Sequence, residues 1–306
     1  MDESIVTTHR LSRTYGRRTA VDSVSLTVRR GEVYGFLGPN GAGKTTTLRM
    51  LTGLVRPSAG SARILGGAPG DPSVLRRVGA LIEAPGFYPY LSGRDNLRVL
   101  ARYNRLDDRE VEAALEQVEL RDRAADRFKS YSLGMKQRIG VAAALLGEPD
   151  LLILDEPTNG LDPAGMADMR ALLRRVVDRG QTVLLSSHLL GEVQQICDRV
   201  GVISQGRLLT ESTVADLRGA SSLLVRATPV DGALAVAERM YGEDLVHLGT
   251  DDTLRVAVGR EQSAELTRAL VQAGVAVHEV GPVERTLEEV FFEMTNDDAT
   301  TPMEVA

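Results

Sequence analysis

The sequence of 306 residues predicts an α/β domain with a mainly parallel sheet, followed by a smaller α+β domain. Continuous apolar runs at residues 33–37, 151–154 and 182–185 indicate buried strands, and helical patterns separate them. Such strands are typical of a parallel sheet covered on both faces by helices. A glycine-rich loop at residues 38–45 follows the first run and precedes a helix. After about residue 218 the pattern changes to shorter elements.

The first domain, residues 1–218, is predicted to begin with strands and to contain a helical subdomain. Residues 4–9 and 21–29 alternate apolar and polar side chains, which predicts two half-buried strands. The helix after the glycine loop is predicted to run through Leu54. A further strand is expected at residues 78–82. The rest of residues 74–130 is mostly helical by pattern, which predicts a helical subdomain.

The second domain, residues 219–295, is predicted to be ferredoxin-like. The pattern gives β-α-β twice. Strands are expected at residues 222–227, 245–248, 253–258 and 275–280, and helices at residues 232–241 and 262–273. A last helix is predicted at residues 286–294. Residues 296–306 form a polar, acidic tail that is predicted to be disordered.

Composition disfavours several classes of function. The net charge of −6 comes from the C-terminal end, where seven acidic residues and one basic residue follow Val283. The neutral body lacks the basic surface that drives DNA binding, so no nucleic-acid partner is expected. One cysteine, Cys197, excludes an internal disulfide and indicates a reducing compartment. The N-terminus lacks a signal peptide's apolar core, and no run approaches about 18 uncharged apolar residues, so any membrane connection is expected through a partner.

The glycine-rich loop matches the G-x4-G-K-[ST] pattern in the strand–loop–helix context that the pattern requires. Gly41 and Gly43 let backbone N–H groups point at phosphate oxygens, and the following helix adds its positive N-terminal end. Lys44 is expected to reach the β- and γ-phosphates, and the Thr45 hydroxyl to ligate Mg²⁺. These features predict a P-loop NTPase that binds ATP with Mg²⁺. The other loop residues expected at the nucleotide are Gly38, Asn40, Ala42 and Thr46.

An acidic pair follows the strand at residues 151–154. Asp155 is expected to hold the metal, directly or through its water. Glu156 is expected beyond the γ-phosphate, where a carboxylate orients and partly deprotonates an attacking water. Such a pair can instead cap a helix, but the phosphate loop favours catalysis. His188 follows the next strand, at the same sheet edge, which favours a γ-phosphate contact over a structural role.

A further motif indicates which class of P-loop NTPase the sequence resembles. Residues 131–137 read YSLGMKQ and resemble the LSGGQ signature of ABC-type ATPases. The resemblance covers residues 4–215, because the phosphate loop, residues 151–156, a D-loop-like run ending at Asp162 and His188 follow the family order. Ser132 and Gly134 are kept, whereas one of the two glycines and the final glutamine are not. The signature residues are Ser132, Leu133, Gly134 and Met135.

The resemblance implies how these motifs work. Ser132 is suited to cap the helix that follows it, which leaves N–H groups for an anion. In the family this motif faces the γ-phosphate bound by a second ATPase subunit, expected here to be an identical copy, so that two chains sandwich two ATP molecules. Tyr15 matches the aromatic residue that stacks on adenine in the family; ordinary packing is the alternative.

The loop after residues 78–82 departs from the family pattern. The family usually has a glutamine that touches Mg²⁺ and relays the nucleotide state to the membrane subunit. Glu83 stands here instead, and it is expected still to ligate the metal. With the residues after it and the signature, Glu83 resembles the ATPase subunits of bacitracin- and lantibiotic-type immunity exporters. Residues 286–291 resemble the end of that group and of the daunorubicin-resistance type.

Three aromatic residues lie close to Glu83: Phe87, Tyr88 and Tyr90, beside Pro85 and Pro89. One interpretation is local packing of a proline-stiffened loop. The other is a groove that receives a helix of the membrane subunit, because exposed aromatic residues favour interfaces. The family has its groove at this place.

The resemblance implies an ATP-hydrolysing subunit of an ABC exporter. It would drive efflux of an antimicrobial peptide or drug through separate polytopic permease subunits, from the cytoplasmic face of the cell membrane. The alternative is a non-transport ABC ATPase acting on ribosomes or DNA, but such proteins usually carry two cassettes or a long coiled coil. A P-loop kinase or GTPase switch is disfavoured, since an NKxD motif is absent. The helix with Phe291 and Phe292 is interpreted as stabilising the dimer; packing onto its own domain is the alternative.

Overall fold

The computed structural model describes residues 3–83, 86–218, 222–249, 251–283, 286–287 and 289–290. The chain divides into two compact units, Met1–Val214 and Ala215–Ala306. Within the described residues, every helix is too short or too polar to cross a membrane.

The first unit combines two sheets with helices. Its strands are β1 Ser4–Tyr15, β2 Arg18–Val24, β3 Thr27–Arg29, β4 Val33–Leu37, β5 Ala59–Ile64, β6 Val78–Leu81, β7 Leu151–Asp155, β8 Thr182–Ser187, β9 Arg199–Ser204 and β10 Arg207–Thr213. Its helices are α1 Lys44–Leu51, α2 Pro72–Leu75, α3 Gly93–Tyr103, α4 Asp108–Gln117, α5 Leu133–Leu145, α6 Pro163–Asp178 and α7 Leu190–Ile196, and α8 Val214–Arg218 begins at the end of the unit.

The larger sheet confirms the predicted α/β class. Its order is β10-β9-β4-β8-β7-β6, and all neighbours are parallel except β10 and β9. All of β4 and the first four residues of β7 are buried, which explains their continuous apolar runs. The register pairs Leu37 with Ser187 and Asp155 with Ser186. The glycine loop, the acidic pair and His188 therefore leave the sheet at one edge.

The smaller sheet is antiparallel, with order β2-β1-β3 and β5 also paired to β1. The single strand predicted at residues 21–29 is wrong, because β2 and β3 pair with different halves of the long strand β1. The helix predicted to reach Leu54 ends at Leu51. Gly53 explains the early end: its φ is 76°, and a Cβ there would lie 2.5 Å from the Cα of Gly70.

The second unit has the element order β-α-β-β-α-β, which is the ferredoxin-like arrangement. The antiparallel sheet has the order β12-β13-β11-β14, and its apolar face packs with both helices into one core. The elements are β11 Ser222–Thr228, α9 Val230–Tyr241, β12 Val246–Leu248, β13 Leu254–Val256, α10 Ser263–Gln272 and β14 Ala276–Val283.

A capping box begins the last predicted helix. The backbone N–H of Thr286 donates to Glu289 Oε2 over 2.9 Å, and the N–H of Glu289 donates to Thr286 Oγ1 over 3.2 Å. Leu287 and Val290 are buried. Phe291, Phe292 and the acidic tail at residues 296–306 lie outside the described residues.

Candidate nucleotide-binding site

The glycines of the loop between β4 and α1 are required by close backbone contacts. A Cβ on Gly38 would lie 2.2 Å from the carbonyl oxygen of Ile203, and one on Gly43 would lie 2.5 Å from that of Ala20. Gly41 and Gly43 have φ values of 81° and 109°, which side chains with a Cβ rarely allow. The loop is therefore held against β9 and β2 in a curled conformation.

Lys44 is the first residue of α1, and its side chain is only 5% exposed. Its Nζ donates to the carbonyl oxygens of Gly38 and Pro39, over 2.7 and 3.3 Å. The same ammonium lies 3.1 Å from Glu156 Oε1. A buried charge is costly unless it is paired and hydrogen-bonded, and these contacts meet that requirement. The residue before Lys44 is a glycine without a capping side chain, so the first N–H groups of α1 are available to an anion.

Asp155 lies beside Thr45. Thr45 Oγ1 donates to Asp155 Oδ2 over 2.8 Å, and Ser186 Oγ donates to Asp155 Oδ1. Ser186 Oγ also accepts from the backbone N–H of Glu156 over 3.0 Å. One buried hydroxyl thus fixes both acidic residues. A hydroxyl and a carboxylate are the hard oxygen donors that Mg²⁺ takes together with substrate phosphates, so this donor set fits the ion.

Glu156 has a φ of 51°, which is unusual for a residue other than glycine. Its side chain is 19% exposed, and Oε2 is hydrogen-bonded to His188 Nδ1 while Oε1 faces Lys44. The helix-cap alternative does not describe this residue, because α6 is capped by Asp162. The structure therefore brings together Lys44, Glu156 and His188, the three residues predicted to be catalytic.

A cleft of about 410 Å³ opens over the loop. Tyr15 lies at its wall and is 42% exposed, with the Arg13 guanidinium 4.4 Å from the ring centroid. Gly38 and Ala42 were also expected at the nucleotide, but the cleft is not lined by them; Ala42 is buried. The residues around the cleft are Tyr15, Arg18, Ala20, Asn40, Gly41, Gly43, Lys44, Thr45, Thr46 and Glu156.

Sequence reasoning did not find Arg18, Ala20 or Ser186. Arg18 and Ala20 belong to β2, which meets the loop only in the folded chain. Ser186 is the fifth residue of β8 but follows the predicted run at residues 182–185, and a serine at such a place carries no distinctive pattern. The sequence carries only a weak signal for Ser186, namely a serine close to the end of the strand that precedes His188.

The signature residues line a second cavity of about 550 Å³, separate from the cleft over the phosphate loop. Ser132 caps α5, and its Oγ accepts from the backbone N–H of Met135 over 3.2 Å. Asp162 lines the same cavity and accepts from the N–H of Gly165 over 3.0 Å. Leu133, Gly134 and Met135 complete the signature side. Within one chain the signature therefore adjoins the D-loop.

Glu83 is bound by Arg49, which lies in the last turn of α1. The Glu83 side chain is 61% exposed. Among the described residues, no hydrogen bond or ion pair joins it to Thr45 or Asp155, and its expected role as a metal ligand stays a prediction.

Of the nearby aromatic residues, Phe87 packs edge-on against Phe128 with ring centroids 5.2 Å apart. Tyr88 and Tyr90 are exposed. The loop thus has one packed ring and two exposed rings: local packing describes Phe87, and the groove for a membrane subunit stays a prediction. Pro85 lies outside the described residues.

A glycine-rich loop that is followed by a buried lysine next to an acidic strand end defines P-loop NTPases. The sheet order and the signature indicate which kind of P-loop NTPase the chain is. A profile of the ABC transporter family matches residues 21–159. The chain is 38% identical over 297 residues to the bacitracin transport ATP-binding protein BcrA of Bacillus licheniformis, covering 95% of this chain and 97% of that protein.

Two further comparisons agree. The daunorubicin resistance ATP-binding protein DrrA3 of Streptomyces coeruleorubidus is 36% identical over 312 residues, covering 97% of this chain and 98% of that protein. A solved structure described as the ATP-binding subunit of an ABC transporter has a TM-score of 0.63 and 31% identity, covering 70% of this chain and 92% of that one.

The chain therefore belongs to the ABC transporter ATP-binding proteins and is an ATPase of that family. The predicted resemblance to bacitracin-, lantibiotic- and daunorubicin-type ATPases is confirmed, as is the ABC ATPase fold.

Proposed function

We propose that this chain is the ATP-hydrolysing subunit of an ABC exporter that moves an antimicrobial peptide or a drug through separate polytopic membrane subunits. The observation that carries the proposal is likeness over 95% and 97% of the chain to a bacitracin and a daunorubicin-resistance ATPase. That likeness includes the C-terminal unit, which the ABC transporter profile at residues 21–159 does not reach. In this role the chain works at the cytoplasmic face of the cell membrane.

The residues in and beside the cleft divide the work of binding and hydrolysing ATP in this proposal. Lys44 and the first N–H groups of α1 bind the β- and γ-phosphates. Thr45 and Asp155 would hold Mg²⁺, which would supply positive charge against the phosphate oxygens. A phosphate within reach of Lys44 competes with the 3.1 Å contact to Glu156 and leaves that carboxylate open to water. Glu156 then orients the water and accepts its proton.

His188 and Tyr15 position the reactants. His188 already bonds Glu156 Oε2, so it steadies the base, and it is proposed also to contact the γ-phosphate. Tyr15 presents an exposed ring at the cleft wall, and that ring stacks on adenine.

The second ATPase subunit is proposed to be an identical copy. The need for a second ATPase subunit is supported by the separation of the two cavities, since the signature and the phosphate loop of one chain do not line the same one. Across a dimer, the N-terminus of the 13-residue helix α5 brings N–H groups and the Ser132 hydroxyl to a γ-phosphate on the other chain. Asp162 lies in the same surface.

Tyr88, Tyr90 and Glu83 are proposed to contact the membrane subunit. Exposed tyrosines are typical of interfaces because they bring large contact area and a polar hydroxyl. Glu83 connects this surface to the phosphate loop through Arg49, which belongs to the helix that begins with Lys44.

The proposal is tested by a pull-down of the tagged full chain from native membranes, with bound proteins identified by mass spectrometry. We expect a polytopic membrane protein. Tyr88→Ala combined with Tyr90→Ala should lose it, whereas Val271→Ala, which alters an exposed residue of the C-terminal unit, should keep it. Recovery of ribosomes or DNA-repair proteins without a membrane protein would overturn the export proposal.

A further inference from the structure

The hairpin between β1 and β2 carries two cleft residues side by side. Tyr15 and Arg18 are directly opposed in the register, and a two-residue turn of Gly16 and Arg17 joins them. Gly16 has a φ of 57°, which the first position of such tight turns requires. The turn therefore sends Tyr15 and Arg18 to the cleft together, while Arg17 does not line it.

Arg18 reaches over the phosphate loop. Its Nη2 lies 4.0 Å from the point that a Cβ on Gly41 would occupy. Arg18 lines the cleft together with Asn40 and Lys44. The guanidinium thus lies close to the phosphate loop, and the missing side chain of Gly41 leaves the space between them open.

The side-chain donors of Arg18 are not committed elsewhere in the described part of the chain, where no hydrogen bond or ion pair of its guanidinium is found. Other arginines nearby do have partners: Arg13 donates to the carbonyl oxygen of Arg56, and Arg207 is paired with Asp22. A guanidinium offers five N–H donors in a planar fork that matches phosphate oxygens.

We propose that Arg18 binds the polyphosphate of the nucleotide, as a second cation beside Lys44. The assignment rests on the proposed nucleotide site. The two cations differ in setting: Lys44 is buried and bonded to the loop carbonyls, whereas Arg18 is exposed at the opening of the cleft. Arg18 has no contact with Asp155 or Glu156 among the described residues, so its contribution is to nucleotide affinity and not to activation of the water.

The test is equilibrium binding by the full chain of the non-hydrolysable analogue AMP-PNP, ADP and adenosine in the presence of Mg²⁺. Arg18→Ala should weaken AMP-PNP and ADP by about tenfold, because charge-assisted hydrogen bonds are lost. Adenosine should change by less than about twofold, since it has no phosphate. Arg18→Lys should fall between, because it keeps the charge without the planar fork.

Arg17→Ala is the matched control, since it removes a neighbouring exposed arginine of the same turn. Equal binding by Arg18→Ala and Arg17→Ala would overturn the proposal, and so would a loss of adenosine binding as large as the loss of ADP binding. Lys44→Ala distinguishes failure of the Arg18 assignment from failure of the proposed nucleotide site. If Lys44→Ala also binds normally, the proposed nucleotide site itself fails; if only Lys44→Ala is impaired, the Arg18 assignment alone fails.

Discussion

Two glutamates occupy equivalent positions on neighbouring strands and have different surroundings. The register pairs Leu81 of β6 with Leu154 of β7, so Glu83 and Glu156 each lie two residues beyond the same level of the sheet. Both have left-handed backbones, with φ values of 66° and 51°. Yet Glu156 is 19% exposed and Glu83 is 61% exposed.

The position of the strands explains the difference. β7 lies inside the sheet between β6 and β8, whereas β6 is at the edge. Glu156 therefore meets groups from several elements: Lys44 of α1 and His188 after β8. Glu83 meets Arg49 and water. The same residue type in the same backbone conformation thus has a paired, largely buried carboxylate at the inner strand, where we propose catalysis, and an exposed one at the edge strand, where we propose contact with another protein.

The largest effect is expected from Lys44→Ala, which removes the buried cation from the inner glutamate. ATP affinity should fall by about tenfold to a hundredfold, as loss of hydrogen bonds from a charged group typically costs about 1.5–3 kcal/mol. Hydrolysis should be nearly abolished. Nucleotide binding and phosphate release measure the two effects. Normal hydrolysis would show that Lys44 does not bind the transferred phosphate.

Glu156→Gln should separate binding from hydrolysis. The amide keeps the shape of the side chain but cannot accept the proton of water, so turnover should fall by about 10² to 10⁴. ATP binding should persist and trap a closed dimer. Light scattering with and without ATP checks the dimer. A variant that stays monomeric with bound ATP would contradict the proposed sandwich.

Ser186→Ala should have an intermediate effect. The change leaves Asp155 Oδ1 and the N–H of Glu156 without their buried hydroxyl, at a cost of about 1–3 kcal/mol. We expect kcat to fall by about tenfold with little change in ATP affinity.

Ser187→Ala is the matched control for that experiment. Its hydroxyl accepts from the N–H of Leu189 and does not bond the acidic pair. It should lose similar stability and keep kcat. Equal loss of kcat in both variants would mean that Ser186 acts only through folding.

The smallest effect on basal hydrolysis is expected from Glu83→Gln at the edge strand. Exposed ion pairs such as the one with Arg49 contribute about 0–1 kcal/mol to stability. Basal ATPase should therefore stay close to wild type, whereas stimulation by the membrane subunit should be lost. ATPase assays with and without that subunit make the comparison. No change in either would mean that the glutamate is simply tolerated.

Much of this site could be predicted because local order determines it. A glycine loop after a buried strand and before a helix fixes the N–H groups and the lysine, and parallel strands bring their ends to one edge. The same logic placed Asp155, Glu156 and His188 at one edge of the sheet, as observed.

The features of the site and fold that could not be predicted depend on contacts between residues far apart in the chain. Arg18 and Ser186 could not be assigned from sequence, because β2 brings Arg18 to the phosphate loop and β8 brings Ser186 to the acidic pair only in the folded chain. The Arg49–Glu83 pair joins residues 34 positions apart in the chain. The split of residues 21–29 into two strands follows from pairing with separate halves of β1, which alternation alone does not encode.

The most direct test of the account is a side-by-side measurement of ATP turnover by the purified wild-type chain, Glu156→Gln and Glu83→Gln under the same Mg²⁺–ATP conditions. The account predicts that turnover is almost lost in Glu156→Gln and close to wild type in Glu83→Gln. Rapid turnover by Glu156→Gln, or an equal loss in both variants, would contradict the division between the inner catalytic glutamate and the edge glutamate.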